Sequence, residues 1–321
     1  MNIELAFTPP LGIRVSTGNS YVAWNESGTL RLWQPAETFS TEVVDGRFPC
    51  LAVNAFLLED RLYVSSEKDT GAVSVVSGHS SSAVDDVRDG PYGARVVAPR
   101  ELLLFSQWSV TLFHPNPSDR WTVNLDGVLG IYQDFGLDNF FVTDALKVGN
   151  LVYIAMTSHY GENGRLLSIR EDGEYVGSTE IQLEPPAGVR YAPPLYLPVA
   201  GFDEKLICVD GFISYGQPPS RITPPSRMTV AVIGGNDIKL SFVFPHAPGI
   251  DGGPSHPPPV AGVALSADAV LLATTSSILI LRPDGTIDDY TNGIFPSPKF
   301  VSDGSSGLWL VCSDAVYRVE V

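Results

Sequence analysis

The sequence predicts an all-β fold made of seven similar four-stranded antiparallel units set in a closed circle. Three observations carry that expectation. Short apolar strand pairs recur at roughly even spacing, beginning near Tyr21, Leu62, Leu102, Leu151, Lys205, Val270 and Gly307. The two ends of the chain look like parts of one such unit, and a repeat that closes on itself marks a circular array. Glycine (30) and proline (26) are spread along the whole chain, as many short turns require.

The clearest unit spans 260–292. Residues 260–265 read as a first strand, and Ser266-Ala267-Asp268 turn the chain. Residues 270–275 read as a fully buried second strand, opening on the apolar run Val270-Leu271-Leu272-Ala273, and 277–281 form the third strand. Arg282-Pro283-Asp284-Gly285 then reverses direction, because proline fixes φ and glycine accepts positive φ. Residues 286–291 alternate as an outer, solvent-facing strand.

The third strands keep step along the chain, at 29–33, 71–76, 109–113, 165–169, 228–233, 277–281 and 315–319. Arg170-Glu171-Asp172-Gly173 follows the fourth of them as the counterpart of 282–285. The last unit stops at Val321 without an outer strand, while residues 2–7 form a lone strand without a unit. Pairing the two removes two exposed sheet edges, so the N-terminal strand is expected to serve as the outer strand of the last unit.

Four antiparallel strands of falling hydrophobicity make a propeller blade. The whole chain resembles the seven-bladed β-propeller superfamily, with units like the quinoprotein-like, NHL-like and WD40-like repeats. Gly307-Leu308-Trp309-Leu310-Val311 followed by Ala315-Val316-Tyr317-Arg318 is similar to the GLW…GLYR repeat of two-component-sensor propellers. The GH…WD pair of WD40 repeats and the tryptophan-docking motif of quinoproteins are missing, so the resemblance is to the superfamily. It implies a single propeller over 1–321, closed by 1–7, with blades at 11–44, 49–88, 94–126, 141–183, 192–244, 259–292 and 298–321.

Composition narrows the function classes. A net charge of −16 argues against a general nucleic-acid binder, since phosphate backbones attract Lys and Arg, and instead suits solubility. No apolar run approaches the ~18 residues of a membrane helix, so no membrane partner is expected. The N-terminus lacks a basic, apolar leader pattern, which makes the cytoplasm the default location. Cys50, Cys208 and Cys312 are odd in number, far apart and free of CxxC spacing, as expected of buried free thiols.

Excess length falls in five connectors, 127–140, 158–164, 183–194, 211–227 and 245–259. Successive-blade linkers and second-to-third-strand connectors share one face of a propeller, so all five belong to one side. Long connectors in compact domains tend to be functional. They carry Tyr132, Phe135, Phe140, Tyr160, Tyr191, Phe212, Tyr215 and His246 beside stiff proline segments. Aromatic rings on rigid loops bring contact area at low entropy cost, which suits a protein or glycan partner. The competing reading is that some of these rings cap the blade core.

The axial channel, lined by first strands, is the second candidate site. Arg14, Asn54, Arg95, Asp144, Tyr196 and Lys299 fall near the loop-rich ends of those strands. Arg14, Arg95 and Lys299 would anchor an anionic small molecule; the plainer alternative is a water-filled channel with a salt-bridge network.

Catalytic motifs do not assemble. The five histidines show no metal-ligand spacing, so no metal or cofactor is expected. Ser65-Ser66-Glu67-Lys68 ends a strand where an SxxK motif would begin a helix. The leading expectation is a non-enzymatic platform binding another protein through the long-loop face. The alternative is a small-molecule or glycan site at the channel mouth, including a hydrolase or lyase. A structural subunit of a phage or injection particle is the third reading.

Overall fold

Runs of β-branched residues and leucine, broken every few positions by glycine, proline or aspartate, favour short strands joined by turns. The computed structural model describes residues 1–8, 15–17, 22–26, 29–33, 43–44, 53–58, 61–66, 73–77, 80–84, 93–98, 100–106, 109–125, 140–158, 164–181, 195–201, 205–210, 227–234, 237–245, 261–274, 277–296, 298–302, 307–312 and 314–320. Among the described residues the strands form seven four-stranded antiparallel sheets. The chain divides into two compact units, Met1–Val123 with Pro296–Val321, and Asn124–Phe295.

In the first unit, β1 (Asn2–Phe7) precedes three sheets laid down in chain order. These are β2 (Val15–Thr17), β3 (Val22–Glu26), β4 (Thr29–Trp33) and β5 (Val43–Val44); β6 (Val53–Leu58), β7 (Arg61–Ser66), β8 (Val73–Ser77) and β9 (Ser80–Val84); and β10 (Gly93–Ala98), β11 (Glu101–Phe105), β12 (Ser109–Phe113) and β13 (Trp121–Asn124). First strands lie side by side, β2 against β6 and β6 against β10.

The second unit repeats the plan three times. Its sheets are β14 (Phe140–Val148), β15 (Leu151–Ser158), β16 (Gly164–Arg170) and β17 (Tyr175–Ile181); β18 (Leu195–Gly201), β19 (Lys205–Asp210), β20 (Arg227–Gly234) and β21 (Asp237–Pro245); and β22 (Ala261–Ser266), β23 (Ala269–Ala273), β24 (Ser277–Leu281) and β25 (Ile287–Asn292). Here too the first strands adjoin, β14 with β18 and β18 with β22.

The last sheet, in the first unit, has the order β1, β28 (Val316–Glu320), β27 (Leu308–Val311) and β26 (Lys299–Ser302). The N-terminal strand therefore occupies the outer position, with Asn2 opposite Glu320, Ile3 opposite Val319 and Leu5 opposite Tyr317. Pairing of this kind satisfies the backbone groups that an edge strand would otherwise present to solvent.

Middle strands carry the core. All five residues of β12 are buried, as are Leu102, Leu103 and Leu104 of β11. Successive residues of a strand point to opposite faces, so such runs mean that both faces of the sheet are covered. In the second unit β15, β16, β23 and β24 behave alike, with Ile154, Met156, Leu167, Leu271 and Ile280 among their buried side chains. Tyr63 of β7 meets Phe113 of β12 edge-on at 5.0 Å between ring centroids. The Arg120 guanidinium lies 4.3 Å above the same Phe113 ring, and its Nε donates to the His114 carbonyl at 2.6 Å.

Turn chemistry follows the sequence. Gly173 (φ 88°) and Gly285 (φ 84°) adopt the left-handed conformation in the two matching turns. The Asp284 carboxylate accepts the Thr286 backbone N–H at 2.9 Å, and that bond is the main reason its pKa falls below the ordinary aspartate value.

Some boundaries differ from expectation. The first strand of the fourth sheet starts at Phe140, so this ring belongs to a strand instead of the preceding connector. Pro245 closes β21 in the same way. The strand expected at 270–275 runs from Ala269 to Ala273, and the buried Thr274 bonds Ser277 through its hydroxyl and its backbone N–H. Register irregularities recur between first and second strands, at Val96/Ala98, Val142/Asp144, Tyr196/Val199 and Ala264/Ser266. A bulge there strengthens the local twist.

Candidate functional site

In a four-stranded antiparallel sheet, the connector between the second and third strands and the connector leaving the fourth emerge at the same end. Within the second unit the long connectors all obey that geometry. Residues 182–194 follow β17 and 246–260 follow β21, while 211–226 joins β19 to β20; 159–163, expected among the long connectors, has five residues, the same as 282–286 at the other end. Residues 126–139 likewise lead from β13 into β14. At the opposite ends of the same sheets the connectors are short, at 149–150, 171–174, 202–204, 235–236, 267–268 and 282–286.

The short-turn ends are closed by their own charges. Lys147 bonds Glu171 at 2.5 Å, and Arg170 bonds Glu174 at 2.7 Å across its turn. Arg282 reaches Asp288 at 3.4 Å beside Gly285. Exposed pairs of this kind add little stability. They do leave fewer uncommitted charges for a partner.

The aromatic candidates of the long connectors, Tyr132, Phe135, Tyr160, Tyr191, Phe212, Tyr215 and His246, lie outside the described residues. Among the axial candidates, Arg14 also lies outside them, immediately before β2. Asn54 and Tyr196 occupy the second positions of β6 and β18, opposite Ser65 and Val209 in register. Both positions lie one residue in from the start of their first strands.

Asp144 departs from expectation. β14 is nine residues long, so Asp144 sits at its middle, away from either end. Its side chain is buried, with Oδ1 accepting the Ala145 backbone N–H at 2.9 Å. The register shift at Val142/Asp144 places it at a bulge.

Arg95 and Lys299 are brought together. Lys299 opens β26 and Arg95 is the third residue of β10, two first strands separated widely in sequence but within one compact unit. Lys299 keeps accessible surface, yet loss of hydration is the largest influence on its ammonium and lowers its pKa. The Arg95 guanidinium lowers it further by like-charge repulsion. Among the described residues Lys299 makes no ion pair. Periodicity gave each cation its strand position, but it carries no signal for contact between non-consecutive sheets.

No family model matches the chain, and no curated protein matches it in sequence. Solved structures match its fold over nearly its whole length. The WD40 β-propeller domain of Doa1 has a TM-score of 0.60 at 11% identity, covering 99% of this chain and 96% of that one. The Dos1 propeller has a TM-score of 0.58 at 10% identity, covering 98% and 95%. BBS1N, solved in complex with ARL6DN, has a TM-score of 0.52 at 12% identity, covering 98% and 95%. At these identities the likeness is one of fold.

Proposed function

We propose that the seven sheets of this all-β propeller, no described helix of which is long and apolar enough to cross a membrane, are seven blades of one ring, closed by β1 as the outer strand of the last blade. We further propose that this ring is a non-enzymatic platform that binds another protein through its long-connector face. The observation that carries the second reading is the asymmetry of the connectors in the second unit: those of thirteen residues or more, 182–194, 211–226 and 246–260, leave the same end of their sheets, while those at the other end have at most five residues. Fold comparison supports it in general terms, since BBS1N was solved in complex with ARL6DN. A propeller by itself leaves function open, so the face must bear the argument.

The test is to purify the tagged protein from its own source beside a variant in which 211–226 is replaced by a short glycine-serine turn. A stoichiometric partner held by the parent and lost from the variant, with unchanged thermal unfolding, supports the platform. Equal recovery of that partner by both proteins excludes this connector from the interface. Recovery of the parent without any stoichiometric protein contradicts the platform itself.

A further inference from the structure

We infer that Ile294 is an apolar anchor through which the long-connector face seats its partner, and that the partner is a different protein offering an uncharged apolar pocket. This rests on the platform reading and deepens it. Three large apolar side chains stand well exposed among the described residues: Leu5, Val176 and Ile294, the last at 65%. Leu5 and Val176 lie within the outer strands β1 and β17. Ile294 instead follows the end of β25, at the same end of the sheet where 246–260 enters β22. A single exposed apolar side chain is ordinary; two features set this one apart.

The backbone holds it in place. Phe295, the next residue, is buried at 4% exposure. On the other side, a Cβ at Gly293 would come within 2.8 Å of the Phe295 ring, so the ring packs directly against the glycine. Pro296 follows and restricts the backbone of Phe295. Ile294 is thus presented outward by neighbours that are themselves fixed, and a preorganised contact loses less entropy on binding.

The surroundings carry no charge, although the chain as a whole carries −16. Between Ala261 and Pro296 the formal charges are Asp268, Arg282, Asp284, Asp288 and Asp289. The first four occupy or flank the short turns at the opposite end of the sheet, and Asp289 faces Leu279 in mid-strand. At the Ile294 end the turn polar groups are satisfied internally, with the Ser277 N–H donating to Thr274 Oγ1 at 2.8 Å and the Thr274 N–H to the Ser277 carbonyl at 2.9 Å. The adjoining connector 246–260 has one formal charge, Asp251, beside six prolines. Depletion of charge around an apolar side chain is the composition of an interface core, and it matches an apolar, uncharged counterpart.

A photocrosslinking residue, p-benzoylphenylalanine, placed at 294 or at 284 in the full chain and activated in its own source, tests the inference. Position 294 should capture one protein that position 284 does not. That protein, purified and titrated against the parent, is then the probe. Ile294→Ser should weaken its binding roughly 10- to 100-fold, the loss of one buried isoleucine, with unchanged thermal unfolding because the side chain is exposed. Val176→Ser, an exposed apolar residue beside a short turn, should leave affinity unchanged. Raising sodium chloride from about 0.05 to about 0.5 M should alter the parent affinity less than about threefold, since no charge pairing holds the complex. Equal binding by Ile294→Ser, with binding lost when 211–226 is replaced, overturns the anchor and leaves the platform standing. A tenfold or greater loss in salt overturns the uncharged pocket, and capture of a second copy of this chain overturns the assignment to a different protein. Capture at neither position, with no protein co-purifying with the parent, overturns both readings.

Discussion

After loss of hydration, the like charge of Arg95 further lowers the proton affinity of Lys299, although the two residues sit on the first strands of different, non-consecutive sheets. The fold thus sets two positive charges within each other's field. In a double-mutant cycle built from Arg95→Gln and Lys299→Gln, the account predicts a repulsive coupling of roughly 0.5 kcal/mol or more at low salt. Added chloride should shrink it by screening. Denaturant unfolding measures the cycle; an attractive coupling in anion-free buffer would contradict the geometry described for the pair.

The outer position of β1 gives a second prediction. Removing residues 2–7 exposes the β28 edge from Val316 to Glu320, which then offers unpaired backbone groups to another chain. The truncated protein should self-associate with rising concentration in size-exclusion chromatography with light scattering, and unfold at lower temperature. A monomer as stable as the parent would show that the β1 pairing contributes nothing.

Phe113 joins three features of the first unit: it is fully buried, edge-on to Tyr63 and capped by Arg120. Phe113→Ala should cost about 3–5 kcal/mol from lost burial and the cavity left behind. Arg120→Ala removes the cation over the ring but little of the core, so a cost of about 1 kcal/mol is expected. Chemical denaturation of the two variants separates the contributions, and similar losses would contradict this division.

Burial pushes the Cys312 thiol up to about 12, and the nearby Asp314 carboxylate adds to the shift. Since the thiolate is the reactive form, the folded protein should leave Cys312 unmodified by iodoacetamide at pH 8 and expose it on unfolding. The stability consequence has a definite sign. Folding raises the pKa of this acid, so its contribution is fully present below the ordinary thiol value of 9.0 and is lost as pH climbs toward about 12. Rapid alkylation of Cys312 in the native state at pH 8 would count against its burial.

The strand framework is legible in Ser109–Phe113 and Ser277–Leu281, which are buried runs that match their expected limits end to end. Thr29–Trp33 and β1 match their expected limits too. First strands were harder to delimit. In β22 the burial alternates weakly and a bulge interrupts the register near Ala264, so no clean period marks its end. In the sequence Phe140 reads as a connector residue, because an aromatic after a polar run suits either loop or strand, and only pairing with Ser158 decides it. For the candidate site, the strand positions of Arg95 and Lys299 could be read from the repeat. Their mutual approach could not, because packing between non-consecutive units leaves no local pattern. The bulge that sets Asp144 into the middle of β14 was likewise invisible, since an extra residue in one strand has no compositional mark.

The most direct test of the platform reading is hydrogen exchange on the chain alone and bound to its co-purified protein partner. The account predicts slowed exchange on binding in 182–194, 211–226 and 246–260, with none at 171–174, 235–236 or 282–286. Protection concentrated at the short turns, or spread equally over both ends of the sheets, would contradict it.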